Sequence, residues 1–169
     1  MITHQSPNPE THNLVKKIKC LLAVFIAGLT ISGLTAFPIQ TELDVATELI
    51  RKYQWNNPVS QWLLQASQGV SETNARFPFM AYGTDWLAFA HLVLAIAFVG
   101  PLRDPVRNIW VIEFGLIACA LIIPLALVAG EVRGIPLFWR LFDCQFGICG
   151  GLILMTCYRS TKDLESLTK

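Results

Sequence analysis

The chain has 169 residues, 53% of them hydrophobic and 15% charged, with a net charge of +1 and a mean hydropathy of +0.48. A soluble domain carries about 25% charged residues, so this composition excludes an ordinary water-soluble fold and points to lipid as the main solvent. Near-neutral charge without a basic run also sets nucleic acid aside as a partner.

Residues 1–17 hold Pro7 and Pro9, lack apolar periodicity and read as a flexible tail. Lys16, Lys17 and Lys19 mark the start of the first apolar run, residues 18–37. That run resembles a signal peptide, but its one candidate cleavage site, Leu34-Thr35-Ala36, has leucine where a small residue is preferred. An uncleaved signal-anchor helix is expected, with Gly28, Thr30, Ser32, Gly33 and Thr35 as a packing face.

Residues 38–82 form the one long polar connection. Thr41-Glu42-Leu43-Asp44 resembles a capping box, and Leu43, Ala46, Leu49, Ile50 and Tyr53 recur at helical spacing opposite Glu42, Glu48 and Arg51. Asn57-Pro58 predicts a second cap, followed by an apolar stripe of Val59, Trp62, Leu63 and Ala66 that stops at Gly69, with a short third turn from Ser71. Phe77, Phe79, Tyr82 and Trp86 collect where the chain re-enters the membrane, a level at which aromatic rings are enriched. These helices are expected to lie on the outer membrane surface, to form a lid over a polar site below, or to offer a docking face.

Three more apolar runs follow, at residues 84–102, 106–129 and 136–158. At 1.5 Å rise per residue each of the four runs can cross a hydrocarbon core of about 30 Å. The predicted fold is therefore all-α, a four-helix transmembrane bundle with a short extracytoplasmic amphipathic segment between the first and second spans. Gly100-Pro101 should end the second helix, Asp104 cap the third, and Pro105 sit in its first turn. Pro124 should kink the third span. Residues 130–136 make a short turn, with Pro136 opening the fourth helix.

The positive-inside tendency places Lys16, Lys17, Lys19, Arg103, Arg107, Arg159, Lys162 and Lys169 on one side. Arg51, Lys52, Arg76 and Arg133 fall on the other, with Arg140 just inside the fourth span. Both termini, including a tail over residues 159–169, are then cytoplasmic, and the setting is a bacterial inner membrane.

Ionisable residues inside the spans carry the chemistry, because each costs on the order of 2.5–3.5 kcal/mol at the bilayer centre. Arg140, Asp143, Gly147 and Gly151 follow at i, i+3, i+7 and i+11, one stripe that is charged near the outer face and small deeper in. Gly147 and Gly151 form a small-xxx-small pair suited to close helix approach. Asp85, Glu131 and Arg133 are predicted at a similar depth, so that Asp85, Glu131, Arg133, Arg140 and Asp143 make a candidate polar pocket. This is either a structural ion-pair network or a site for a carboxylate or lipid phosphate.

His91 shares a face with Thr84, Ala88 and Ala95. It could be a hydrogen-bonded interior residue, a proton carrier or a haem ligand. His4 and His12 are both in the tail, so two haem-ligating histidines would need an oligomer. Glu113 is expected within reach of Arg103 or Arg107, as a counter-charge or as a proton-carrying group coupled to His91. The five cysteines (Cys20, Cys119, Cys144, Cys149 and Cys157) include no CxxC pair and read as small apolar packing groups, so neither a metal nor a cofactor is expected. No GxSxG, HExxH or phosphate-binding glycine loop occurs.

The segments Tyr82-Gly83-Thr84-Asp85-Trp86, Gly100-Pro101-Leu102-Arg103-Asp104-Pro105-Val106-Arg107-Asn108-Ile109-Trp110 and Phe138-Trp139-Arg140-Leu141-Phe142-Asp143 resemble a family of bacterial four-span integral membrane proteins of unassigned activity. The resemblance covers most of residues 30–150 and implies the four-span fold, with no catalytic residue attached. In span count the chain is also similar to the DoxX-like and vitamin K epoxide reductase proteins, though the redox CxxC of the latter is absent. The reading these features favour is an accessory or assembly subunit whose partners are the lipid bilayer and a membrane protein or a second copy. The alternatives are a membrane enzyme or transporter handling a small anionic or lipid-like molecule at the charged pocket, and a haem- or quinone-binding subunit in an oligomer.

Overall fold

Pro9 needs no N–H at a first helical position, and Glu10 lies in the first turn, where the helix terminus is electropositive. Helix α1 accordingly runs over Pro9–Ala36 in the computed structural model, which describes residues 9–168. The tail expected over residues 1–17 is thus corrected from residue 9 onward: a nucleated turn followed by a long helix-compatible run propagates at little cost. Residues 1–8 lie outside the described residues.

Helix α2 (Ile39–Lys52) starts almost at once. Its first donors are met by the backbone, Glu42 N–H reaching the Pro38 carbonyl at 3.0 Å, so the capping box expected at Thr41 is not used. The helix ends with Gln54 in the left-handed region, φ 51°. Gln54 N–H bonds the Arg51 carbonyl at 3.3 Å and Trp55 N–H the Ile50 carbonyl at 3.0 Å, a Schellman closure. Helix α3 (Pro58–Arg76) opens on the cap expected at Asn57: Ser60 N–H donates to Asn57 Oδ1 and Asn57 N–H to Ser60 Oγ, both at 2.9 Å. It does not stop at Gly69. One interior glycine costs about 1 kcal/mol, and helix-compatible residues follow it, so the expected separate turn from Ser71 is part of α3.

A 3₁₀ turn (Pro78–Met80) leads into α4 (Ala81–Ala97), then α5 (Val99–Arg103). The interruption falls one turn before Pro101, whose missing N–H cannot serve the Ala97 carbonyl. Asp104 does not cap the third helix. Its Oδ1 accepts from Arg107 N–H at 3.0 Å, and Asn108 Nδ2 donates to the carbonyls of Gly100 (3.2 Å) and Asp104 (2.9 Å). That stitched turn holds Pro105, and α6 (Ile109–Pro124) begins only after it.

Pro124 acts as expected in interrupting the third span, in the form of a π turn (Leu125–Ala129) followed by α7 (Gly130–Val132). The next turn needs its glycine: Gly134 has φ 69°, its N–H bonds the Glu131 carbonyl at 3.0 Å, and Ile135 N–H bonds the Gly130 carbonyl at 2.9 Å. Helix α8 then runs unbroken over Leu137–Thr168. The tail expected from residue 159 is helical instead, and Ser160, Thr161 and Leu164 are buried, which a solvated tail would not be.

The structure is all-helical, without a strand among the described residues, and four helical stretches are long and apolar enough to cross a membrane: Pro9–Ala36, Pro78–Arg103, Ile109–Val132 and Leu137–Leu167. No more than 28% of the most apolar window of any of them is buried, so most of that apolar surface calls for lipid around it. The chain reads as a multi-pass helical membrane protein.

The helices form two compact units. Among the described residues, unit one comprises 9–27 and 95–168. Its core contains Ile18, Leu22, Phe98, Ile112, Leu154 and Cys157, all fully buried or nearly so, with the half-buried Phe25 ring 4.7 Å from that of Phe98 between centroids. Unit two comprises residues 28–94 and contains the α2–α3 hairpin. Thr47, Ile50 and Ser60 are buried there, and Asn74 Nδ2 bonds Gln40 Oε1 at 3.3 Å between the two helices.

Candidate functional site

The charged group of unit one is assembled by the π turn and α8. Arg140, in the first turn of α8, lays its stem across Gly130, where a Cβ would stand 2.5 Å from Arg140 Cδ. Its guanidinium pairs with Glu131, and Nη1 also donates to the Leu127 carbonyl inside the π turn at 3.2 Å. The side chain is 14% exposed and Nε is buried without a hydrogen-bond partner. An arginine with five donors in a fixed fork suits this double duty of carboxylate and carbonyl. The Leu127 carbonyl and Gly130 were not legible in the sequence, because a π turn shifts which carbonyls are left over.

Four of the five residues expected to share a pocket belong to unit one. Glu131 and Arg140 come together, while Arg133 is exposed and Asp143 half-buried one turn further along α8. Among the described residues no ion pair engages Arg133 or Asp143. Asp85 belongs to unit two, where it is half-buried near the start of α4.

Gly147 is the point of closest helix approach, since a Cβ there would lie 2.5 Å from the Cys119 carbonyl oxygen on α6. Gly151 is less tight, its nearest neighbour Cys119 Cβ at 3.7 Å. Gly150, which the heptad-like stripe missed, faces Cys119 Sγ at 3.0 Å and the Phe25 ring at 3.2 Å. Cys119, Cys144 and Cys157 are buried and Cys20 and Cys149 exposed, all five free.

In unit two the expected inner face of α4 is present: Ala88 is buried and Thr84 and His91 half-buried. His91 Nδ1 lies 2.8 Å from the Leu87 carbonyl, a bond that fixes Nδ1 as the protonated nitrogen. Gly33 on α1 makes room for this face, a Cβ there standing 2.9 Å from the Ala88 carbonyl and 3.1 Å from His91 Cβ. Glu113 is exposed on α6, and no ion pair joins it to Arg103 or Arg107 among the described residues.

A polar cleft of about 560 Å³ lies between α2 and α3, lined by Asp44, Thr47, Arg51, Gln65, Gln68 and Glu72 among others. No cluster of three or more metal-ligating side chains occurs among the described residues. No family model, curated protein or solved structure matches this chain.

Proposed function

We propose that the chain is an accessory or assembly subunit of a membrane complex, held in the bilayer by its four apolar helices and offering the polar side of the α2–α3 hairpin to a membrane-protein partner or a second copy. The observation that carries this reading is the engagement of Arg140. Its guanidinium is taken up by Glu131 and by a backbone carbonyl of its own unit, which is how a helix-register lock is built. The His91 contact to its own helix supports the same view.

The orientation we favour puts the chain in a bacterial inner membrane with both termini in the cytoplasm and residues 38–82 outside. It is supported by the sorting of lysine and arginine between the two faces. A second reading, an enzyme or transporter for a small anionic or lipid-like molecule, is favoured by the partnerless Arg140 Nε and by Asp143, which no ion pair neutralises among the described residues.

Native mass spectrometry of protein extracted gently from its own membrane tests the choice. The subunit reading expects a protein partner at fixed stoichiometry, and Arg140→Ala to lower abundance and complex formation together. A bound small anion that disappears in Asp143→Asn while abundance stays at the wild-type level would overturn it in favour of the second.

A further inference from the structure

The α2–α3 hairpin buries only part of its apolar surface, Ile50 fully and Leu43 and Ala46 by about half. On α2 the side turned to α3 carries Asp44, Thr47, Ile50 and Arg51, of which Thr47 and Ile50 are buried and the other two line the cleft. Across from it, α3 presents Ser60, Leu64, Ser67 and Ser71. A further apolar strip of α2 and its C-cap is left bare: Val45, Leu49 and Tyr53, at i, i+4 and i+8, are 53%, 41% and 57% exposed. Trp55 and Val59 in the connection and first turn of α3 are exposed too.

Apolar side chains that the hairpin leaves bare need another apolar medium, and the chain supplies a reason to name it. The hairpin is tied at both ends to membrane-length helices, α2 beginning three residues after α1 ends and α3 ending two residues before the span that opens at Pro78. At that second tether Phe77, Phe79, Tyr82 and Trp86 are all exposed, with Phe77 stacked edge-on to Phe79 at 6.0 Å and Tyr82 to Trp86 at 5.9 Å. Rings of this kind gather at the headgroup level. The bare arc of α2 is therefore linked to a bilayer boundary on either side.

We infer that the α2–α3 hairpin is an interfacial membrane-seated element, its Val45, Leu49 and Tyr53 arc set among the lipid headgroups and upper acyl chains and its polar cleft turned to water. The occupant of the apolar arc is lipid. The hairpin carries four acids (Glu42, Asp44, Glu48 and Glu72) against three bases (Arg51, Lys52 and Arg76), so the seating rests on apolar contact and is indifferent to headgroup charge. The inference goes beyond the subunit reading, because the arc is seated whether or not a partner occupies the cleft side.

Photoreactive diazirine amino acids placed singly at Val45, Leu49, Glu48 and Gln65 of the full chain, in phosphatidylcholine nanodiscs, test this. The replaced side chains are exposed, so folding is preserved, and intact-mass spectra read the adducts. Lipid adducts at 45 and 49 at several-fold the yield at 48 and 65, unchanged when phosphatidylglycerol is added, are expected. Water-quenched product at 45 and 49, equal lipid yield at all four sites, or a crosslink from 45 or 49 to a second copy would each overturn the proposal. Water-quenched product or equal lipid yield would leave the subunit reading untouched, since no other protein is present in the nanodisc, whereas a crosslink to a second copy would favour that reading while overturning this one.

Discussion

At the level of single residues, the most informative positions are those where a Cβ or its absence decides the geometry. Gly147 and Gly151 form an equivalent pair in the sequence, yet a Cβ at Gly147 would press on the Cys119 carbonyl at 2.5 Å while one at Gly151 would find ordinary contact at 3.7 Å. Backbone cannot step aside as a side chain can. Gly147→Ala is therefore expected to destabilise by about 1–3 kcal/mol and Gly151→Ala to change little, as thermal unfolding in detergent would show; equal losses at both sites would contradict this packing. Gln54 presents the opposite case. It holds φ 51° at the end of α2, a conformation that costs an L-residue roughly 1–2 kcal/mol and glycine almost nothing. After the extra chain entropy of glycine is set against that, Gln54→Gly should stabilise by about 0.5–1 kcal/mol, seen as a raised unfolding midpoint.

Elements begin and end where backbone groups find partners, and several of those partners are long-range enough to escape a local reading. Asp104 carries the signature of a helix cap but closes a turn through Arg107 N–H, and Asn108 ties that turn back to the Gly100 and Asp104 carbonyls. Asn108→Ala would remove the second donor from two carbonyls that each also accept a backbone N–H, and is expected to lower stability by about 0.5–1.5 kcal/mol, measured by the same unfolding assay. Asn108→Asp should be as damaging, because a carboxylate cannot donate to them. The amphipathic helices of the hairpin were legible from spacing, and the Asn57 cap from its Asn-Pro pair. The length of α3 was not: Gly69 looks like a stop, but nothing lies within 4 Å of where its Cβ would be and the chain simply carries on.

For the molecule as a whole, the helical extension beyond Tyr158 matters more than its polar composition suggests. Ser160, Thr161 and Leu164 are buried in the same unit as Ile18 and Leu22. The end of α8 is thus part of the packed unit. Truncation after Tyr158 should reduce the amount of folded protein in the membrane, whereas a freely solvated tail could be removed without loss; membrane-fraction abundance and protease resistance distinguish the two. Fusions of a cytoplasm-only reporter to each terminus are expected to be active on both, and activity at one end alone would refute the even-numbered crossing on which the orientation rests.

Sequence by itself determined the four apolar stretches and hence the class of protein, because twenty or so consecutive apolar residues have only one comfortable solvent. It also marked Pro124 as a point of interruption, since a missing N–H acts on its own helix whatever surrounds it, whereas the helix end expected at Gly100-Pro101 is instead a break at Phe98, after which the chain stays helical through Pro101 to Arg103. Only the tertiary structure decided which charges meet. Arg140 reaches Glu131 and the Leu127 carbonyl because a π turn shifts the register of the third span, and a shift of that kind moves every later side chain to a new face. The same holds for the bare arc of α2: its apolar stripe is written in the residues, but which side α3 would cover depends on how two helices pack, and packing is settled by shape across the chain and not by spacing along it.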